Sequence, residues 1–219
     1  MPEVPVVQQF MQANDLVAAE VKRFLAERGI VALNLMASPG AGKTSLIMGT
    51  IAALSGRARI GVIEGDTASR VDADRVATTG VPVVQINTGG GCHLDAPMVR
   101  SALAQLPLDA IDLLLIENVG NLVCPAGFAL GESVNVVIAS VPEGDDKPYK
   151  YPGMFVKADV LVVNKVDLLP YLDFDLPAFR ALVRGVNPNV RIFELSCTTG
   201  EGLDAWADWL ASLCPGRAG

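Results

Sequence analysis

Histidine and cysteine are scarce in this chain. Among 219 residues there is one histidine, His93, and there are four cysteines, Cys92, Cys124, Cys197 and Cys214. Thiols so few and so scattered make no disulfide framework, and free thiols in a reducing compartment are the expected state. Basic residues are outnumbered as well: 17 Lys and Arg stand against 24 Asp and Glu, for a net charge of −7. With no basic run, the chain lacks the electrostatic footprint of a nonspecific nucleic-acid binder. Hydrophobic content reaches 51%, yet no apolar run approaches the roughly 18 residues that a membrane span needs. Met1-Pro2-Glu3 opens without the basic region and apolar core of a signal peptide, so a cytoplasmic location is expected. The chain is long enough to bury one sizeable α/β core.

Residues from about Val6 to Arg28 place Phe10, Val17, Val21, Phe24 and Leu25 among charged residues. That spacing predicts an amphipathic helix ending at Gly29, so residues 1–29 are expected to pack on a larger unit of residues 30–219. Short apolar, β-branched runs follow at Ile30–Met36, Arg59–Glu64, Pro82–Asn87, Asp112–Glu117, Val134–Ala139, Asp159–Asn164 and, more weakly, Val190–Leu195. Helical patterns separate several of them, at about Ala68–Thr79, Ala96–Leu106, Leu176–Val186 and Glu201–Leu213. Such alternation predicts an α/β fold with a mainly parallel sheet of about seven strands, flanked by helices. In such a sheet, ligands gather at the carboxyl ends of the strands. The polar segments after each run are therefore expected to meet at one rim.

Between the first run and its helix lies Ala37-Ser38-Pro39-Gly40-Ala41-Gly42-Lys43-Thr44. A strand, a glycine-rich turn and a helix N-terminus make a phosphate cradle, because backbone N–H groups and the helix dipole converge on an anion. Pro39, Gly40, Ala41, Gly42 and Ser45 belong to that cradle. Lys43 is expected at the outer phosphates and the Thr44 hydroxyl at Mg²⁺. Ala37 stands where the pattern usually has Gly, which is tolerable if that position needs no positive φ. Glu117, ending a strand, is expected at the Mg²⁺ shell, and Gly120 is placed to offer its N–H to the γ-phosphate. Asp66 ends another strand and is read either as a further Mg²⁺ ligand or as a helix N-cap. No Gln follows Gly120, since Asn121 stands there, and slow intrinsic turnover is expected.

Asn164-Lys165-Val166-Asp167 names the nucleotide. The Asp167 carboxylate can accept from guanine N1–H and its 2-amino group, whereas adenine offers no donor there and leaves a charge unpaired. Asn164 would support that loop and Lys165 would lie over the base. Ser196-Cys197-Thr198 matches the position of a second guanine-contacting loop, with Cys197 read as a packed small residue. Lys147 and Lys150, after the fifth strand, are read as solvated or as charge donors to the phosphates, in cis or from a second protomer.

Cys92 and His93 are adjacent, and Gly89, Gly90 and Gly91 before them permit the non-extended backbone that joint ligation needs. Cys124, seven residues after Glu117, belongs at the same rim. Thiolate plus imidazole suits Zn²⁺ or Ni²⁺, and three ligands leave a shell open to water or to a second chain.

The runs Gly-Cys-His-Leu-Asp-Ala (91–96), Ile-Glu-Asn-Val-Gly-Asn-Leu-Val-Cys-Pro (116–125) and Glu-Gly-Asp-Asp-Lys-Pro-Tyr-Lys-Tyr-Pro (143–152) resemble the HypB family of hydrogenase nickel-incorporation GTPases. The likeness extends from about Val31 to Leu213. It implies a SIMIBI-class GTPase that forms a homodimer with GTP and delivers nickel during maturation of nickel–iron hydrogenase. It further implies Cys92, His93 and Cys124 as ligands of Ni²⁺ or Zn²⁺. The implied partner is a small zinc-containing nickel chaperone, HypA, with the hydrogenase large-subunit precursor served indirectly. An Ala at the position of Ala37 is ordinary for that family. One departure stands out: residues 1–30 carry neither the Cys-rich motif nor the His-rich tract of some members, so tight N-terminal nickel storage is not expected. A urease-type accessory GTPase is the nearest alternative, and the absence of a proline between Cys92 and His93 argues against it. A GTP-gated metal-binding module with negligible turnover and a metal-free regulatory GTPase are the others.

Overall fold

Seven short apolar runs become strands because each is covered on both faces. They are β1 (Val31–Ala37), β2 (Ile60–Asp66), β3 (Val83–Asn87), β4 (Leu113–Glu117), β5 (Val134–Ser140), β6 (Val160–Asn164) and β7 (Arg191–Glu194). These come from a computed structural model that describes residues 6–214; residues 1–5 and 215–219, the outer ends of the two expected units, lie outside the described residues. The strands form one sheet in the order β3-β2-β4-β1-β5-β6-β7, and every neighbouring pair is parallel. The expected parallel α/β architecture is therefore present, with β1 at the centre between β4 and β5.

Eight α-helices accompany the sheet among the described residues: α1 (Val6–Ala26), α2 (Lys43–Ala53), α3 (Val71–Ala77), α4 (Ala96–Leu103), α5 (Lys147–Lys150), α6 (Pro152–Lys157), α7 (Leu176–Val186) and α8 (Leu203–Leu213). Along β1 the side chains alternate. Leu33 and Leu35 join Leu46, Ile47, Trp206 and Leu210 on the face covered by α2 and α8. Ala32 packs on the opposite face with Val21 and Leu25 of α1 and Val99 and Leu103 of α4. Met36 meets Phe155 and Phe179 of α6 and α7 on that same side. Fully burying each large apolar side chain contributes about 1.5–3 kcal/mol, so the two covered faces hold the sheet. Trp206 Nε1 donates to Thr50 Oγ1 at 2.9 Å, and that hydroxyl donates to Leu46 O at 2.6 Å, which ties α8 to α2.

Three helices differ from the pattern. The polar segment after the fifth run, which holds Lys147 and Lys150, carries α5, and α6 starts directly after it; both are too short to show a helical period. Pro148 and Pro152 lie in their first turns, where a proline lacks only an N–H that would be unpaired anyway. The helix expected from Ala68 begins only at Val71, because Asp66 folds the chain into a turn first. Asp66 Oδ1 accepts from the N–H groups of Ala68 and Ser69 at 2.8 and 2.6 Å. Arg70 occupies the N-cap of α3, so Asp66 does not cap that helix.

Candidate functional site

The carboxyl ends of β1, β2, β4 and β6 open on a cavity of about 550 Å³ lined by Pro39, Gly40, Lys43, Thr44, Glu64, Asp66, Asp72, Glu117, Gly120 and Lys165. Five of the residues expected to work on phosphates or Mg²⁺ (Lys43, Thr44, Asp66, Glu117, Gly120) thus share one cavity. Its floor is the turn between β1 and α2. Gly42 there has φ 101°, and a Cβ on it would fall 2.4 Å from Asn164 Nδ2, so only glycine fits. Asn164 Nδ2 donates to Ala41 O at 2.9 Å, and Lys165 Nζ donates to Gly40 O at 2.7 Å. Residues expected to recognise the base therefore also brace the turn expected to hold phosphates. Gly120 lies against that turn from the β4 side, since a Cβ on it would be 3.2 Å from Pro39 Cα.

Thr44 Oγ1 donates to Glu117 Oε1 at 3.1 Å, and Lys43 Nζ stands 3.8 Å from the same oxygen. Two further acids that sequence reasoning missed complete the group. Glu64, Asp72 and Glu117 each present an oxygen within 4.8 Å of the others. Glu64 and Glu117 are register partners on adjacent strands and are 1% and 3% exposed. Each keeps one oxygen, Glu64 Oε2 and Glu117 Oε2, without a hydrogen-bond partner among the described residues. Burial, with the facing Glu117 charge second, pushes the Glu64 carboxyl up to about 8. Burial also lifts Glu117 to about 7, against the opposing pull of Lys43. Crowded, orphaned carboxylates suit a divalent cation, so the residues present fit Mg²⁺. A signal for Glu64 existed: an acid at the end of a buried apolar strand. Asp72, in the first turn of α3, had none. Asp66 is held below the usual carboxylate range, chiefly by the N–H of Ala68.

At the β6 end, Asp167 follows the left-handed Lys165 (φ 63°). Its Oδ1 is buried with no partner among the described residues, an acceptor that awaits a donor. Cys197 lies beside it; its N–H donates to Asn164 Oδ1 at 3.4 Å, and burial pushes its thiol up to about 11. The Ser196 hydroxyl accepts from Thr198 N and Thr199 N at 3.2 and 3.1 Å. Ser196 therefore shapes its loop. Lys147 and Lys150 pair within their own segment, Lys147 with Glu143 at 3.7 Å and Lys150 with Asp146.

A second cluster stands on the same rim. Cys92, His93 and Cys124 bring their ligand atoms within 4.8 Å of one another. Cys124 begins the short 3₁₀ turn Cys124–Gly127. His93 stacks on Phe128 with ring centroids 4.0 Å apart, and burial holds its pKa below the ordinary value, so the imidazole favours its neutral, ligating form. The Cys124 thiol beside it raises the Cys92 thiol. The segment from Glu117 to Cys124 thus carries an acid of one cluster at one end and a thiol of the other at its far end.

A family model described as "CobW/HypB/UreG, nucleotide-binding domain" matches residues 31–194. The hydrogenase maturation factor HypB of Azotobacter vinelandii is 52% identical over 205 residues, which cover 94% of this chain and 68% of that protein. Two crystal structures share the fold. HypB from Helicobacter pylori in complex with nickel has a TM-score of 0.87 at 39% identity, covering 91% of this chain and 94% of that one. HypB from Archaeoglobus fulgidus has a TM-score of 0.86 at 41% identity, covering 93% and 99%.

Proposed function

Because the chain belongs to the CobW/HypB/UreG family of P-loop nucleotide-binding proteins, in its HypB branch of hydrogenase maturation factors, we propose that it is a GTP-hydrolysing metallochaperone. In this reading it carries nickel as cargo during maturation of nickel–iron hydrogenase. One observation carries the reading: a single segment, residues 117–124, supplies both an acid of the phosphate-side cluster and a thiol of the cargo-side cluster.

Asp167 accepts from the guanine edge, filling the valence of its orphaned Oδ1. Lys43 and the cradle N–H groups hold the outer phosphates, and the Gly120 N–H faces the γ-phosphate. Mg²⁺, held by Thr44 and Glu117 with Glu64 and Asp72 about it, would neutralise charge on the phosphate oxygens. No glutamine follows Gly120 to orient an attacking water, so intrinsic hydrolysis to GDP and phosphate is slow.

Cys92, His93 and Cys124 hold Ni²⁺ or Zn²⁺ in a shell with room for ligands of a second protomer, so that GTP-dependent homodimerisation completes it. The chain works in the cytoplasm. A small zinc-containing nickel chaperone of the HypA kind is the fitting partner, and the hydrogenase large-subunit precursor the destination. GTP binding changes metal affinity, and by linkage the metal changes nucleotide affinity by the same factor. The test is titration of Ni²⁺ and Zn²⁺ against GDP-bound and GTP-analogue-bound protein, with oligomeric state followed by light scattering. Different metal affinities and a dimer with the analogue are expected. Equal affinities with one oligomeric state would overturn the proposal.

A further inference from the structure

Leu94 follows His93 directly and is fully buried. Its N–H donates to Asn118 Oδ1 at 3.1 Å, and Asn118 is the residue after Glu117. Its side chain fills the space over Gly65: a Cβ on that glycine would lie 2.8 Å from Leu94 Cγ. Gly65 in turn lies between Glu64 and Asp66. A single residue next to a cargo ligand therefore touches both strand ends that bear the phosphate-side acids.

Asn118 is itself firmly held. Its N–H donates to Leu35 O at 3.0 Å, and its Oδ1 also accepts from Val119 N at 3.0 Å. Its Nδ2 donates to Asn34 Oδ1 at 3.1 Å, and Asn34 Nδ2 donates to Asn135 Oδ1 at 3.2 Å. These amides run from the residue just after β4 across β1 to β5, and Asn118 and Asn34 are 0% and 1% exposed. A buried amide with both ends paired cannot turn without stranding polar groups, so it moves with its strand. A shift at the end of β4 is then passed to the Leu94 backbone. A shift at the end of β2 is passed to the Leu94 side chain by packing. Asn121 Nδ2 adds an outer tie to Cys92 O at 3.3 Å.

We infer that Leu94 and Asn118 form the joint through which occupancy of the nucleotide site sets the geometry of Cys92, His93 and Cys124. The inference rests on the nucleotide–metal coupling proposed above. Both are positioning residues: neither is a ligand of cargo or nucleotide, and each acts through its neighbours.

The experiment compares the full chain with Asn118→Ala and Leu94→Val, each bound to GDP or to a non-hydrolysable GTP analogue and titrated with Ni²⁺. Thiolate-to-nickel absorption is the readout, and circular dichroism checks folding. Leu94→Val keeps the backbone N–H and most of the buried volume, so it reports even if Asn118→Ala fails to fold. The unaltered chain is expected to show nickel affinities that differ between nucleotide states by about 5-fold or more. In the variants that ratio collapses toward one, while nickel stoichiometry and GDP affinity hold. A variant that keeps the full ratio overturns the joint, including one that weakens nickel equally in both states, and it leaves the coupling standing. A ratio of one in the unaltered chain overturns the coupling, and the joint falls with it.

Discussion

Asp167 keeps a buried oxygen that no described residue satisfies. Replacing it by Asn removes the charge that two guanine donors need, while an amide can donate to a 2-oxo base. Asp167→Asn is therefore expected to cost GTP about 10- to 100-fold in affinity, on the order of 1.5–3 kcal/mol, and to gain xanthosine triphosphate. Calorimetric titration of both nucleotides checks this, and unchanged GTP binding would contradict it. Glu64 and Glu117 lead to a pH prediction. Both carboxyls are raised from 4.5, to about 8 and about 7, so the folded, magnesium-free chain binds more protons than the unfolded one across that window. Stability is then highest at acidic pH and falls as pH rises from about 5 to 8. Urea midpoints measured in a chelator should drop across that range. Mg²⁺ with GDP should restore them, and Glu64→Gln should flatten the slope.

At the scale of elements, the turn into α2 tolerates no side chain at Gly42. Gly42→Ala asks an L residue to hold φ 101° and places a methyl against Asn164 Nδ2. Loss of nucleotide binding in a chain that remains folded is the expected outcome, read by fluorescent GDP displacement and circular dichroism. On the face covered by α2 and α8, Trp206→Phe leaves the Thr50 hydroxyl without its donor and empties part of the α2–α8 contact. A loss of about 1–3 kcal/mol is expected in chemical denaturation, with nucleotide affinity preserved. The strands were legible because apolar β-branched runs buried on both faces leave a continuous signature, and the α7 pattern over Leu176–Val186 matches its helix end to end. Helices α5 and α6 were illegible because a single turn has no period to read. Glu64 closed the apolar run that becomes β2, and its one signal, an acid at the end of a buried strand, was read as part of the strand. Cys92, His93 and Cys124 were readable from residue type and strand-end position. The role of Leu94 was not, because only the folded chain shows what lies over Gly65.

For the molecule as a whole, the two clusters on one rim make a joint prediction. Replacing Cys92, His93 and Cys124 together by Ala should abolish stoichiometric nickel binding in equilibrium dialysis. Basal GTP turnover should persist within about threefold, because no cluster residue lines the phosphate cavity. Any nickel-dependent change in GTP affinity should vanish with the ligands. The sheet order carries a last consequence, for synthesis of the chain. β1 pairs Val31 with Leu113 of β4 and Leu33 with Val134 of β5, so the central strand leaves the ribosome long before either neighbour exists. Until both emerge, an apolar segment waits unpaired and the turn after it has no walls. Nascent chains stalled before β5 should therefore neither retain guanine nucleotide nor resist protease, and chaperone demand should be greatest while the middle of the chain is being made.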